Sequence, residues 1–207
     1  SGTVVEIGRH PIQPQPAPLM KLPLCFPRLL QSLALAGLIG GCAALRAEVT
    51  LATPFTDHMV LQRERKVPVW GGAAAGEKVT VEFGGQTKTA TADADGKWRV
   101  ELDAMPASSE SRTMTVSGSQ TAQPVKLDDV LVGEVWLGSG LSNMAMTVDR
   151  SNDVEGSKAA ANLPQIRMFT EGSAAADTTQ LLGKGTWVVC TPETVGRFSA
   201  TAFFFGN

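Results

Sequence analysis

The chain has 207 residues and a formal net charge of -2, so its length allows one sizeable domain or two small ones. The near balance of charges argues against a protein that works through a basic surface, as nucleic-acid and anionic-membrane binders do. Hydrophobic residues make up 43% of the chain, which is the composition of an ordinary globular protein.

The first 47 residues have the composition of an extension followed by a secretory leader. Residues 1–19 hold four of the twelve prolines and show no hydrophobic periodicity, which predicts disorder or sequence upstream of the mature protein. After Met20, basic residues precede an apolar run at 29–40 that is too short to span a bilayer comfortably. Residues 20–47 are therefore predicted to be a signal peptide, and the protein to be secreted or periplasmic in a bacterium.

Two processing sites remain open in this leader. Cleavage after Ala47 would release a soluble chain that begins at Glu48. Residues 39–42 also resemble a bacterial lipobox, which would make Cys42 a lipidated N-terminus. With cleavage after Ala47, Cys190 would be the single remaining cysteine, so no internal disulfide could form. Its place in the apolar run 187–190 favours a buried structural thiol.

Residues 48–128 predict an all-β module. Polar and apolar residues alternate with period two at 79–83, 87–91 and 98–102, and a further short strand is expected at 113–116. Short strands joined by Gly and Asp-Gly turns are typical of a β-sandwich or a jelly-roll-like module.

Two polar motifs in this module have competing interpretations. Residues 93–96 begin like a calcium loop, but Ala104 stands where the distal acidic ligand belongs, so a hairpin turn is predicted instead. The pair Asp57-His58 invites a catalytic interpretation. Its place in the β-module, far in sequence from the serine described next, favours a structural or domain-interface role for His58.

The pattern changes to α/β from residue 130. The mostly apolar run 130–137 predicts a strand buried on both faces inside a parallel sheet. Gly138, Ser139 and Gly140 follow directly, and Ser142 comes two residues later. A buried strand that ends in a Gly-rich turn carrying a serine is how α/β hydrolases present a nucleophile. An ordinary loop is the alternative, because short motifs have a high false-positive rate. Further along, a helix is predicted at 154–161, strands at 165–170 and 187–190, and a helix from residue 199 or 201.

The segment Gly140-Leu141-Ser142-Asn143-Met144 resembles the Gly-Gln-Ser-Asn-Met nucleophile block of the sialate O-acetylesterases, a branch of the SGNH hydrolases. The similarity runs from about Glu48 to the last residue. Other segments that carry it are 57–63, 67–71, 76–79, 92–98, 164–169 and 187–195. The resemblance implies an α/β fold with an N-terminal all-β module. A β-sandwich or jelly-roll-like module at 48–128 would be followed, at 129–207, by the start of a flavodoxin-like SGNH hydrolase domain.

The resemblance also implies a function, the removal of O-acetyl groups from sialic acid or related acetylated sugars. Ser142 would be the catalytic nucleophile, and its N–H one oxyanion donor, with Gly140 and Asn143 shaping the turn. No cofactor or metal is expected, because no cluster of His, Cys and Asp has ligand spacing. Neither a nucleic-acid partner nor a membrane span is expected. Three positions depart from the family's block: Leu141 replaces Gln, Gly138 replaces Cys and Ala145 replaces Glu.

The sequence does not indicate which residue would act as the general base for Ser142. The family places its catalytic Asp–His pair further toward the C-terminus, whereas the two histidines of this sequence, His10 and His58, both precede Ser142. The usual triad therefore cannot be assembled from these residues. A non-catalytic, secreted carbohydrate-binding or cell-surface β-module is the alternative function.

Overall fold

Most of the described chain is β-strand, and its helices are few and short. The computed structural model describes residues 48–172 and 176–206, so the predicted leader and signal peptide lie outside the described residues. The strands are β1 (Thr50–Leu51), β2 (Val60–Gln62), β3 (Val67–Gly72), β4 (Lys78–Phe83), β5 (Gln86–Thr91), β6 (Lys97–Leu102), β7 (Ser108–Gly118), β8 (Val125–Gly133), β9 (Leu163–Phe169) and β10 (Trp187–Cys190). The helices are α1 (Ser142–Ala145), α2 (Val154–Ala160) and α3 (Ala200–Gly206), with 3₁₀ turns at Val148–Arg150 and Val195–Arg197.

Two sheets share the main hydrophobic core, as the alternating pattern predicts. One has the order β1-β3-β6 and the other the order β2-β8-β7-β4-β5. In β4, Val79, Val81 and Phe83 are buried while the residues between them are more accessible. Because successive side chains of a strand point to opposite faces, this alternation places one face of β4 in the core. Core side chains of this size stabilise a fold by about 1.5–3 kcal/mol each when fully buried.

One carboxylate is wholly enclosed at the edge of this core. Glu77 is completely buried and accepts hydrogen bonds from the N–H groups of Ala74 and Gln120, at 3.2 and 3.0 Å, and from the Thr121 hydroxyl at 3.0 Å. Burial on its own raises the pKa of Glu77, but these hydrogen bonds to the charged form outweigh burial and lower the pKa. Glu77 therefore ties the start of β4 to the turn after β7.

The predicted turn at 93–96 joins the two sheets, so the prediction of a hairpin there is wrong. β5 pairs with β4, whereas β6 pairs with β3. The turn itself is well defined, because Asp93 Oδ1 accepts the N–H groups of Asp95 and Lys97 at 3.0 and 2.8 Å. Alternation in a sequence shows which side chains face the core, but it does not show which strand is the neighbour.

The strand predicted at 130–137 begins and ends earlier, as β8. It lies between β2, to which it is parallel, and β7, to which it is antiparallel. Residues 130–132 are buried, but Val135, Trp136 and Leu137 are exposed. The predicted burial therefore holds for residues 130–132 and is wrong beyond Gly133, and the prediction of a parallel sheet is wrong because β8 is antiparallel to β7. β8 also crosses the boundary predicted between residues 128 and 129.

A second, smaller hydrophobic cluster follows β8 along the chain. The antiparallel pair β9–β10 packs there with the helical segments, and its buried members are Val148, Ala161, Met168, Cys190, Val195, Ala200 and Phe203. These elements confirm the strands and helices predicted after residue 150. Cys190 is fully buried, as predicted, and burial raises the pKa of its thiol. No helix in the described part of the chain is long and apolar enough to cross a membrane.

The predicted fold, α/β with an N-terminal all-β module, is confirmed in part, because the described chain is mostly β with few helices. Its finer part, the division into a jelly-roll-like module and an SGNH domain, remains a prediction.

Candidate active site

Ser142 stands at the beginning of helix α1, at the end of a loop that leaves β8. The loop covers residues 134–141 and contains the three predicted turn residues Gly138, Ser139 and Gly140. Ser142 is exposed, and none of the described residues accepts or donates a hydrogen bond to its hydroxyl. The structure thus presents this serine to solvent.

Two side chains at the start of helix α3 contact the serine turn. The Thr201 hydroxyl donates to the carbonyl oxygen of Asn143 at 3.1 Å, and the Ser199 hydroxyl lies 3.2 Å from the sulfur of Met144. Met144 in turn lies against the backbone of the turn, since a Cβ placed on Gly140 would stand 3.1 Å from the Met144 Cβ. A side chain at position 140 would force Met144 to shift, so this close approach favours glycine.

The loop that enters the turn is fastened to β2 by the side chain of Gln62. Its amide oxygen accepts the N–H of Val135 at 2.9 Å, and its amide nitrogen donates to Glu134 Oε2 at 2.9 Å. The Arg63 side chain adds an ion pair from its Nε to Glu134 Oε1 at 3.1 Å. The backbone N–H of Arg63 donates to the carbonyl oxygen of Gly133. The path from β8 to the serine is therefore set by residues of the β-module.

An apolar groove of about 1080 Å³ runs beside the turn. Gly138, Ser139 and Met144 are among its lining residues, whereas Ser142 is not. The apolar side chains that define the groove include Val135, Trp136, Leu137, Phe169, Trp187 and Phe205. The Trp136 and Phe205 rings meet edge to face with their centroids 5.2 Å apart.

His58 belongs to a polar cluster, which we call the Asp129 cluster and which also contains Arg167; of these three residues, only Arg167 lines the groove. His58 Nδ1 lies 2.8 Å from Asp129 Oδ2, and Arg167 Nη2 donates to the same oxygen at 2.8 Å. The Arg167 side chain is only 5% exposed, and among the described residues its Nε and Nη1 have no hydrogen-bond partner. Asp129 is thus the one acceptor that the described residues offer to a buried guanidinium.

Several effects combine on the Asp129 carboxylate. Burial raises its pKa, but hydrogen bonds from the side chains of His58 and Ser111 and the charge of Arg167 outweigh burial and lower the pKa. His58 and Asp129 both have positive φ, at 65° and 56°, a conformation that non-glycine residues adopt at some cost. The Asp129 cluster therefore joins the turn before β2, the middle of β8 and strand β9.

The structure does not bring this His–Asp pair to the serine. Neither His58 nor Asp129 lines the groove beside the serine turn, and His58 is the only histidine of the described residues. The described residues consequently supply an exposed serine without a histidine base. Gly140, Ser142 and Asn143 lie together in the turn, as predicted, while their roles at an oxyanion remain predictions.

Two sets of long-range contacts, one at the loop before the serine turn and one in the Asp129 cluster, leave no local signal in the sequence. Gln62 acts across 73 residues on Val135, and Arg167 acts across 38 residues on Asp129. The pattern of neighbouring residues does not indicate contacts between residues so far apart in the sequence. The dipeptides Asp57-His58 and Asp128-Asp129 gave a partial signal for the positive φ of His58 and Asp129, because Asp and His are among the residues enriched in that conformation.

Comparisons with known proteins place these features in a class. The chain is 36% identical over 105 residues to the sialate O-acetylesterase of Rattus norvegicus and 35% identical over 108 residues to that of Homo sapiens. Those matches cover 47% of this chain in each case. In structure, the chain matches a carbohydrate acetylesterase from Xanthomonas citri with a TM-score of 0.71 and 35% identity, over 76% of this chain. No model of a protein family matches the sequence.

All three relatives are carboxylic ester hydrolases, the class that the exposed serine turn predicts. Over the matched residues, the chain is a homologue of the sialate O-acetylesterases, which confirms the resemblance seen in its sequence. The chain spans about a fifth of the length of the curated relatives, at 19% and 20%, and 36% of the Xanthomonas citri chain.

Proposed function

We propose that this protein works as an esterase that removes O-acetyl groups from carbohydrates, with Ser142 as the nucleophile. One observation carries the proposal: Ser142 is exposed at the start of α1, directly after a Gly-rich turn, in a chain homologous to acetylesterases. An exposed serine in a sharply turned segment can approach the carbonyl carbon of a bound ester.

The proposed reaction has two steps. The Ser142 oxygen attacks the acetyl carbonyl, its proton passes to a base, and the sugar hydroxyl leaves with a proton to give an acetyl-serine. Water then hydrolyses this ester to acetate and regenerates the serine. Backbone N–H groups of the turn that contains Gly140, Ser142 and Asn143 would stabilise the oxyanion formed in each step.

The proposed reaction needs a base that the described residues do not place beside Ser142. His58 is held by Asp129 away from the groove, so the described residues leave the serine hydroxyl without a proton acceptor. Loss of a triad member typically costs several orders of magnitude in rate. The chain by itself is therefore expected to release acetate slowly, with Ser142 as the nucleophile and water accepting its proton.

Three finer assignments belong to the same proposal. The acetylated sugar is sialic acid or a related sugar, as in the relatives named sialate O-acetylesterase. Residues 129–207 are the first part of an SGNH-type hydrolase domain. The protein is exported through the signal peptide at 20–47, either as a soluble chain or as a lipoprotein anchored at Cys42.

The test of the proposed function is acetate release from O-acetylated sialic acid by the full chain. Ser142→Ala is expected to abolish release, whereas Ser139→Ala, at the neighbouring exposed serine of the same turn, is expected to retain it. Equal release by the chain and by Ser142→Ala would exclude Ser142 as the nucleophile. If release is lost in Ser139→Ala and kept in Ser142→Ala, the nucleophile is Ser139 and not Ser142.

A non-catalytic carbohydrate-binding module is the second candidate, and the absence of a histidine beside Ser142 among the described residues favours it. It predicts saturable binding of O-acetylated sialic acid with no acetate release, and identical binding by Ser142→Ala. Calorimetric titration of both proteins with the same sugar separates the two functions.

A further inference from the structure

A second, smaller pocket lies against the three-stranded sheet of the β-module. Its volume is about 330 Å³, near the lower end of the range for small-molecule sites, about 300–1000 Å³. Its walls include the turn after β1 at residues 52–54, Trp70 of β3 and residues of the segment 176–183, and no described residue lines both this pocket and the groove beside the serine turn. The pocket is therefore of a size for one small ring and shares no residue with that groove.

The indole N–H of Trp70 has no acceptor among the described residues, and its nitrogen is not buried. In β3, Val69 is fully buried and Trp70 is half-buried on the opposite face, because neighbouring side chains of a strand point to opposite sides. By contrast, the indole N–H groups of Trp98 and Trp187 donate to carbonyl oxygens at 3.0 and 2.8 Å. Tryptophans that lie largely inside a protein usually have such a partner, so a donor left open on a pocket wall points to a ligand.

Hydrogen bonds tie the walls of the pocket to each other. The N–H of Thr53 donates to the carbonyl oxygen of Leu181 at 3.3 Å, and the Thr53 hydroxyl oxygen accepts the N–H of Gly183. The Leu181 side chain lies close to Gly72 of β3, since a Cβ placed on that glycine would stand 3.3 Å from Leu181 Cδ2. The walls are therefore in place before a ligand binds, which reduces the entropy cost of binding.

The polar groups of the pocket suit a neutral ligand that carries hydroxyls. Gln180 Nε2 donates to the carbonyl and hydroxyl oxygens of Thr178, both at 3.0 Å, which fixes this pair and leaves the Gln180 amide oxygen as an acceptor. Glu171 is the charged member of the described lining residues, and none of them is a lysine or an arginine. A carboxylate or a sulfate would thus enter this pocket without meeting a cation, which is costly.

We propose that this pocket is a subsite for a neutral sugar ring. The C–H face of the ring packs against the indole of Trp70, and its hydroxyl groups form hydrogen bonds with the Trp70 N–H, Thr178 and Gln180. The choice of a sugar as the ligand rests on the proposed function, whereas the place of the subsite and its preference for a neutral ring rest on the pocket itself. The subsite would hold a carbohydrate on the β-module independently of the chemistry at Ser142.

The experiment titrates the full 207-residue chain with the neutral methyl glycosides of glucose, galactose and mannose, followed by heteronuclear NMR. The indole cross-peak of Trp70 is assigned by its absence from the spectrum of Trp70→Phe. This peak is expected to shift in a saturable way with at least one of the three glycosides, with a Kd in the millimolar range. N-acetylneuraminic acid is expected to bind at least tenfold more weakly, because its carboxylate meets no described cation in the pocket.

Gln180→Ala is expected to raise the Kd at least threefold, and its exposed side chain makes a loss of folding unexpected. Gln123→Ala is the matched control, because Gln123 is also an exposed glutamine but does not line the pocket, so this variant should bind like the parent chain. The glycosides carry no ester, and Ser142→Ala should bind them unchanged. Failure of the proposed esterase reaction would therefore leave this result unaffected.

Three results would overturn the proposal. The first is the absence of a saturable shift of the Trp70 cross-peak with any of the three glycosides, including a shift confined to Trp136, which would place the sugar in the groove beside the serine turn. The second is a Kd that is unchanged by Gln180→Ala, or raised equally by Gln123→Ala. The third is tighter binding of N-acetylneuraminic acid than of the neutral glycosides.

Discussion

Replacing Asp129 by Asn should destabilise the protein through the buried guanidinium of Arg167. Asn adopts positive φ readily, so the substitution removes the charge and leaves the backbone conformation accessible. Removing one partner of a buried ion pair costs about 3–5 kcal/mol when both groups are fully buried. Asp129 keeps 27% of its side-chain exposure and Asn keeps one acceptor oxygen, so we expect a loss of about 2–3 kcal/mol.

Urea unfolding at pH 7 measures this loss, and thermal unfolding should show a midpoint lowered by about 4–12 °C for a domain of this size. Asp128→Asn is the matched control, because its exposed carboxylate accepts a hydrogen bond from Thr113 and contacts no buried charge in the described structure. It is expected to cost under about 1 kcal/mol. Asp129→Asn combined with Arg167→Met should be more stable than Asp129→Asn alone, since the unpaired charge is gone.

The pH dependence gives an independent check. The pKa of Asp129 is lower in the folded protein than in the unfolded chain, so its carboxylate adds stability above the unfolded value of about 3.9. That contribution is lost as the pH falls through the folded-state pKa. The stability difference between the parent and Asp129→Asn should therefore shrink as the pH falls below about 4. A variant within about 0.5 kcal/mol of the parent at pH 7 would refute the role given to Asp129.

Three further predictions follow from the buried groups and the helix caps. Glu77→Gln should lower the free energy of unfolding by about 2 kcal/mol in urea, because an amide N–H₂ would replace one of the two acceptor oxygens and face at least one of their three donors; an unchanged midpoint would contradict the hydrogen bonds assigned to it. Cys190 should not react with Ellman's reagent in the native protein and should react fully in denaturant, and rapid native labelling would show that it is accessible. Asp153→Ala should cost about 1 kcal/mol through the lost cap at the N–H of Gly156, while Asp153→Ser should restore most of it.

Local structure was predictable where it depends on neighbouring residues. Alternation located β4, β5 and β6 to within a residue or two, because burial of one face of a strand leaves a period of two in the sequence. The turn after β5 was predictable from its Asp and Gly. The pairing of β6 with β3 was not, because partner choice depends on contacts between segments that lie far apart in the sequence.

Only the contiguous residues of the candidate site were predictable from the sequence. The Gly-rich turn and Ser142 are contiguous, so their motif is visible in the sequence. The residues that hold the turn are scattered, with Gln62 in β2 and Thr201 in α3, and they show no pattern of their own. The apolar run 130–137 indicated a strand buried on both faces. It could not indicate that the described residues cover only its first half.

The position of β8 has a consequence for how the chain folds during synthesis. β8 is the last strand of its sheet to be made, yet it lies between β2 and β7, and β2 joins the sheet only through it. The first strand of the sheet must therefore wait until residue 133 is available before it can pair. The sandwich cannot be completed by a ribosome-bound chain that stops at residue 128, and any excision of residues 129–133 would release β2. The serine loop is thus the direct continuation of the strand that closes the sheet.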